Sequence, residues 1–247
     1  MKDGLLDQKF DSYYSDVNLS YYKGIFSSAF NHYQGKSFSQ VLDIGCGVGS
    51  LGEALKPLNI DYYGLEGSDK GIATAKEKGL NCQKFLLETN HPLPFKDNSF
   101  SFVSMNQVIE HINKEVGQYY IKEIIRVLEP GGVAIINSPS RYSKIWRTDP
   151  HHIYCWRPKE LLKEVEKHRE IKLAKLERAP LEPWMFFNYN EKIIDTWHKY
   201  NKYPKTKKIF SLTERVIDKT LDKTIKSDRF LAVADVVFIK RNQELKE

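Results

Sequence analysis

Seven short runs of β-forming residues, most of them separated by a helical stretch, constrain this 247-residue chain more than any other feature. The runs are residues 39–44, 61–66, 82–87, 100–105, 133–137, a stretch near 171–177 and a final apolar run at 230–239. Helical patterns are expected at 18–34, 51–58, 68–78, 119–128 and 158–168; Gly79 closes the third and Glu129-Pro-Gly-Gly132 the fourth. Strand–helix units of this length imply right-handed crossovers and a mostly parallel sheet covered by helices on both faces. The expected fold is α/β: a doubly wound, seven-stranded sheet with an N-terminal helical segment and a helical insertion before the last strand, which reads as an edge strand. Sheets of this kind bind ligands beyond the carboxyl ends of their strands, so chemistry is sought just after each run.

Composition supports a folded chain. Hydrophobic residues make up 41% and aromatic residues 13%, enough for a sizeable core. No apolar run has the length of a signal peptide or of a membrane span, which makes a cytoplasmic setting the default expectation. Cys46, Cys82 and Cys155 show neither a CxxC nor a close pairing. The net charge of +6 is uneven: residues 1–140 carry 13 Lys and Arg against 16 Asp and Glu, whereas residues 141–247 carry 25 against 16. A basic C-terminal half suits an anionic substrate, nucleic acid or a lipid surface, or is simply a solvated lysine-rich face. Residues 180–228 break the alternation with Trp184, Phe186, Phe187, Trp197, Tyr200 and many lysines. They read as a helical insertion, either a cap over the substrate or a unit with its own small core. At the other end, Tyr22, Phe26, Phe30 and Tyr33 recur at helical spacing.

The first strand runs directly into Asp43-Ile-Gly45-Cys46-Gly47-Val-Gly49. Glycines let the backbone turn sharply and approach a ligand closely, and the helix that follows offers free N–H groups. A phosphate-binding P-loop needs Gly-Lys-Ser/Thr, but Ser50-Leu51 follows Gly49. The dinucleotide fingerprint is G-x-G-x-x-G; here the spacing is G-x-G-x-G, with Gly52 leaving some ambiguity. Asp43 favours a ligand with a cationic amino-acid end over a pyrophosphate. Glu66 ends the second strand, where a carboxylate accepts hydrogen bonds from both ribose hydroxyls. That acid alone does not separate a nicotinamide nucleotide from S-adenosylmethionine.

The segment Val41-Leu-Asp-Ile-Gly-Cys-Gly-Val-Gly49 resembles the signature of class I S-adenosylmethionine-dependent methyltransferases, a family with a Rossmann-like fold. So do Tyr63-Gly-Leu-Glu66, Leu93-Pro-Phe95 with Asn98-Ser-Phe100, Asn106-Gln-Val-Ile-Glu-His111 and Val127-Leu-Glu-Pro-Gly-Gly132. The branch it is most similar to is typified by ubiquinone-biosynthesis O-methyltransferases, and the resemblance covers residues 38–140. It implies that Asp43 and the backbone of Gly45, Cys46, Gly47 and Gly49 hold the methionine portion of S-adenosyl-L-methionine, and that Glu66, with Gly67 and Ser68 beside it, binds the ribose. Leu87 and Glu88 would flank the adenine, although the family has Asp and a small residue there. Asn106 and Val108 would lie at the methionine end; Leu87 and Val108 also suit ordinary core. The whole chain then reads as one methyltransferase domain: an N-terminal lid at 1–38, a cofactor-binding core at 39–179, a substrate cap at 180–228 and a last strand with its tail at 229–247.

Methyl transfer from a sulfonium needs an oriented nucleophile and, for a hydroxyl acceptor, a base. His111, after the fourth strand, and His151 and His152, after the fifth, are the candidate bases; a structural role for His111 is the alternative. Asp149 with His151 and His152 carries metal-ligating atoms, but the set is incomplete and no metal is expected. No Asn/Asp-Pro-Pro-Tyr follows the fourth strand, which disfavours amino methylation of adenine or glutamine; no Pro-Cys is present for cytosine C5 chemistry. The expected function is methyl transfer to a small-molecule hydroxyl, with S-adenosyl-L-homocysteine as the by-product. RNA methylation through the basic half, a lipid or quinone acceptor at a membrane surface, and a nicotinamide-dependent oxidoreduction are the alternatives.

Overall fold

A computed structural model describes residues 19–33, 35, 37–139, 149–178 and 233–242. The substrate cap expected at 180–228 and residues 1–18 of the expected N-terminal lid lie outside these residues. In chain order the elements are α1 (Leu19–Phe30), β1 (Gln40–Ile44), α2 (Ser50–Leu55), β2 (Asp61–Glu66), α3 (Asp69–Glu77), β3 (Cys82–Lys84), β4 (Phe100–Asn106), α4 (Lys114–Val127), β5 (Leu128–Pro139), α5 (Pro158–Glu166), β6 (Ile171–Arg178) and β7 (Val233–Lys240). Single 3-10 turns follow α2 at Lys56–Leu58 and β4 at Ile109–His111.

One seven-stranded sheet has the order β3-β2-β1-β4-β5-β7-β6. The pairs β1–β2, β1–β4, β2–β3 and β4–β5 are parallel, and β7 runs antiparallel to both β5 and β6. The chain starts at the centre with β1, winds outward to β3, then returns to β4 on the other side. The switch point is therefore between β1 and β4, where a ligand crevice opens in such sheets.

The final strand is not the edge strand its sequence suggested. It lies between β5 and β6. Val236 and Phe238 join one apolar cluster while Val237 and Ile239 join the other. A strand buried on both faces requires a neighbour on both sides for its backbone groups. The edge falls to β6, where the exposed Lys172 carries a charge of the kind that discourages further strand pairing.

Strict alternation builds the two layers. Leu42, Ile44, Val103, Met105, Ala134 and Ile136 face the cluster under α4 and α5; Val41, Phe102, Val133 and Ile135 face the cluster under α1 and α2. Asp43 thus belongs by register to the α1–α2 side. α4 begins five residues earlier than expected, at Lys114, because Asn113 caps it: its Oδ1 accepts from the Val116 N–H at 2.8 Å. β3 is shorter than expected, stopping at Lys84.

α1 lies on the sheet through edge-to-face aromatic contacts. Phe26 meets Phe38 at 5.2 Å and Phe102 at 6.0 Å between ring centroids. Tyr33, just past the helix end, donates its hydroxyl to Glu129 Oε1 at 3.0 Å. The helical spacing of Tyr22, Phe26 and Phe30 was therefore legible, and α1 is fastened over the β1–β4 half of the sheet.

Candidate active site at the carboxyl ends of β1, β2 and β4

Gly45, Gly47 and Gly49 all take positive φ, at 71°, 54° and 76°. Two of them are required sterically as well. A Cβ on Gly45 would run into the Val108 side chain, and one on Gly49 would run into Leu80. The turn is held from below by Gly45 and Cys46 N–H groups donating to the Leu65 carbonyl at 2.7 and 3.0 Å. It leads into the short α2 through the Glu53 N–H to Gly49 carbonyl bond at 2.9 Å.

Cys46 contributes backbone only. Its side chain is buried, turned toward Gly64 and Cys82, with the two sulfurs 3.7 Å apart as free thiols. Residue spacing carries no sign of that approach: β2 and β3 pair in parallel and bring Cys82 level with Gly64, a glycine without a side chain to separate the two.

Glu66 closes the turn from the side. Its Oε2 accepts from the Gly47 N–H and its Oε1 from the Ser68 N–H, both at 2.8 Å. Each carboxylate oxygen keeps a second lone pair, so the group is held rigidly yet still able to accept from a diol. Ser68 also caps α3, accepting from the Gly71 N–H at 3.1 Å. Gly67 lies between the two in a partly exposed bend.

Asp43 is 4% exposed at the end of β1. Tyr62 donates its hydroxyl to Asp43 Oδ2 at 3.0 Å, and Ser104, its register partner on β4, also hydrogen-bonds it. Burial outweighs these bonds. The Asp43 carboxyl is pushed up to about 7, with the nearby Glu66 charge raising it further. Such a group gains most from a cationic ligand. Tyr22 from α1 completes this corner: its hydroxyl is hydrogen-bonded by Ser50 and Asn106, and burial together with Asp43 pushes its pKa up to about 12. Tyr22 was legible only as part of a helical aromatic pattern and Tyr62 not at all, because nothing in residue spacing predicts which helix settles over the turn.

Val108 packs on Gly45 and on the core. Leu87 also packs on the core, and Glu88 is exposed, its N–H donating to Tyr120 Oη at 3.2 Å. Both sit just beyond the end of β3. Gln107, between Asn106 and Val108, adopts a left-handed φ of 56° and pairs its side chain with Asn137. A non-glycine residue held in this way stores strain of a kind common at functional turns.

Of the three candidate histidines, the structure brings two together. The His111 and His152 rings lie 4.8 Å apart between centroids. His151 supplies backbone instead: its carbonyl lies 3.2 Å from His111 Nδ1, and its N–H donates to Asp149 Oδ1 at 2.8 Å. The segment is drawn to the end of β4 by the Ile153 and Tyr154 N–H groups, which both donate to the Glu110 carbonyl at 2.8 and 3.2 Å. Trp156, 1% exposed, anchors it against Gly117 of α4.

Comparison with known proteins agrees with this geometry. Residues 42–136 match the methyltransferase domain family. A ubiquinone biosynthesis O-methyltransferase of Roseobacter denitrificans is 27% identical over 127 residues, 49% of this chain and 50% of that protein. A probable methyltransferase of Arabidopsis thaliana is 34% identical over 110 residues, 42% of this chain and 18% of that one. The chain thus aligns with half or less of these curated relatives. The crystal structure of a SAM-dependent methyltransferase from Archaeoglobus fulgidus superposes with a TM-score of 0.64 at 18% identity, covering 96% of this chain and 98% of that one; it shows the same fold. A glycine cradle that a Cβ would fill, a clamped carboxylate at the tip of β2 and a buried acid suited to a cation fit S-adenosylmethionine, and with the family match they identify residues 42–136 as a class I S-adenosylmethionine-dependent methyltransferase domain.

Proposed function

We propose that this protein transfers the methyl group of S-adenosylmethionine to a hydroxyl oxygen of a small molecule. The observation that carries the reading is the glycine turn locked to the Glu66 carboxylate, with an imidazole pair formed at the turn that follows β4. When bound, the cofactor supplies a methyl group already activated on a sulfonium. Asp43 would hold its cationic amino-acid end and Glu66 its ribose hydroxyls, with Asn106 and Tyr22 enclosing the methionine end. His111 and His152, with Glu110 beside them, are the groups we assign to the proton of the acceptor hydroxyl. In this reading His111 or His152 would take up the proton of the acceptor hydroxyl, whose oxygen would receive the methyl group, with S-adenosylhomocysteine as the by-product. A positioned base of this kind contributes about 10²- to 10⁴-fold.

An oxygen acceptor is supported by this imidazole pair and by the likeness to the ubiquinone biosynthesis O-methyltransferase. The test is isothermal titration with S-adenosylhomocysteine, followed by methyl transfer from labelled S-adenosylmethionine to a panel of phenols, catechols, amines and RNA. Binding that Asp43→Ala abolishes, with label passing to hydroxylated compounds, is the expected result. Label passing to RNA or to amines alone would overturn the acceptor assignment. Absence of cofactor binding would overturn the whole reading.

A further inference from the structure

Two thiols meet at the cofactor turn without a part in holding it. Cys46 Sγ and Cys82 Sγ are 3.7 Å apart, and the two residues are 7% and 4% exposed. Gly64 makes the approach possible: a Cβ at that position would lie 2.6 Å from Cys82 Sγ and 2.7 Å from Cys46 Sγ. Cys82 opens β3 level with Gly64, and Cys46 follows β1 by two residues. One sulfur therefore belongs to the cofactor turn and the other to the outermost strand on that side of the sheet.

The two sulfurs are unlike. Cys46 Sγ also lies 3.8 Å from the Gly47 carbonyl, which can only accept, so the proton stays on Cys46. The hydrogen bond to Cys82, together with burial, pushes the Cys46 thiol up, and the same bond holds the Cys82 thiol below its usual range. Cys82 is therefore the sulfur that reaches the thiolate, the form that attacks oxidants. Its strand gives it a route to solvent. β3 has three residues and only β2 beside it, and Gln83 and Lys84 are exposed. Short, one-sided elements of this kind open locally at low cost.

We propose that Cys46 and Cys82 form an oxidation site, which a hydroperoxide converts to a disulfide that draws β3 toward the cofactor turn and weakens cofactor binding. With hydrogen peroxide, the Cys82 sulfur takes one oxygen as the O–O bond breaks, giving a sulfenic acid and one water. The Cys46 sulfur then attacks the Cys82 sulfur. The S–S bond forms, the S–O bond breaks, and the hydroxyl leaves with the Cys46 proton as a second water. Two thiols lose two electrons and two hydrogens, and the peroxide is reduced by the same two electrons. The sulfurs must come closer by about 1.7 Å. The turn is held by the Leu65 carbonyl and the Glu66 carboxylate, whereas β3 has a single neighbour, so β3 is the part that shifts. Phe85, the next residue, donates its N–H to the Glu66 carbonyl at 2.8 Å, and Leu87 and Glu88 follow it. The effect on the cofactor rests on the methyl-transfer reading, in which Glu66 takes the ribose and residues 87 and 88 flank the adenine. A displaced β3 disturbs both.

The test treats the reduced full chain with hydrogen peroxide, caps remaining thiols with N-ethylmaleimide under denaturing conditions, and maps the peptides by mass. A cross-linked peptide pair joining Cys46 to Cys82, lighter by two hydrogens, is expected, and it should form equally in Cys155→Ser. S-Adenosylhomocysteine titration before and after oxidation should show affinity falling by about tenfold or more and returning with dithiothreitol. Cys82→Ser should bind in the reduced state like the wild type, which shows that it is folded, and should keep that affinity after peroxide. Thiols at Cys46 and Cys82 that stay open to capping, a disulfide to Cys155 in place of the Cys46–Cys82 bond, or a sulfinic acid at Cys82 would overturn the site. A Cys46–Cys82 disulfide with unchanged affinity, or an equal loss of affinity in Cys82→Ser, would overturn the effect on the cofactor. Absence of S-adenosylhomocysteine binding by the reduced wild type would overturn the methyl-transfer reading instead, and the cross-link is read by mass regardless of it.

Discussion

Asp43 offers a titration that reports on the cofactor site directly. Its carboxyl is raised from 3.8 to about 7, chiefly by burial. At about 1.4 kcal/mol per pKa unit, ionising it in the empty fold costs about 4 kcal/mol. A cation placed beside it removes that cost, so below pH 7 cofactor binding expels the proton. About nine tenths of a proton should be released per S-adenosylhomocysteine bound at pH 6, and about one tenth at pH 8. The affinity should rise about tenfold per pH unit up to pH 7 and then level, roughly a hundredfold in all between pH 5 and pH 8. Calorimetry in two buffers of different ionisation enthalpy measures the proton count at each pH. The same shift acts on folding. The native state holds this proton more tightly than the unfolded chain, so its contribution is fully present below about pH 4 and is lost as pH rises through 7. Asp43→Asn should therefore unfold at a higher temperature than the wild type at pH 8, though not at pH 4, while binding the cofactor weakly and without pH dependence. Wild-type affinity that is flat from pH 5 to 8 would refute the account of Asp43 as a buried acid awaiting a cation.

Other changes probe the supports of the site. Glu66→Gln sets an NH₂ against the Gly47 or Ser68 N–H; the loss of about 1–3 kcal/mol should show as an S-adenosylhomocysteine titration weaker by about five- to 150-fold. Gly49→Ala forces a non-glycine into φ 76° against Leu80; beyond the roughly 1–2 kcal/mol of left-handed backbone, displacement of the turn should abolish cofactor binding in the same assay. Tyr22→Phe removes the hydroxyl that meets Ser50 and Asn106 and should lower stability in urea by about 1 kcal/mol, with cofactor affinity falling severalfold. Trp156→Ala should cost about 3–5 kcal/mol by denaturant unfolding, because a fully buried indole against Gly117 anchors the segment bearing His152.

The chain's local chemistry made the cofactor half of the site legible. A glycine turn after a buried strand is marked by residue type, since only glycine takes positive φ without penalty, and Glu66 stands at a fixed offset because parallel strands of similar length end at one edge of the sheet. The strand and helix periods likewise announced seven strands and their wrapping helices. What spacing cannot carry is the pairing of distant segments. The place of β7 inside the sheet followed from burial of both its faces, not from its apolar run. Tyr22 reached Asp43 because aromatic packing on Phe102 settles α1 over the turn. His111 and His152, 41 positions apart in the chain, met because the Glu110 carbonyl accepts from Ile153 and Tyr154. Residue type and period are local properties of a sequence, whereas the meeting of side chains across elements is decided by which buried surfaces and backbone groups must be satisfied together.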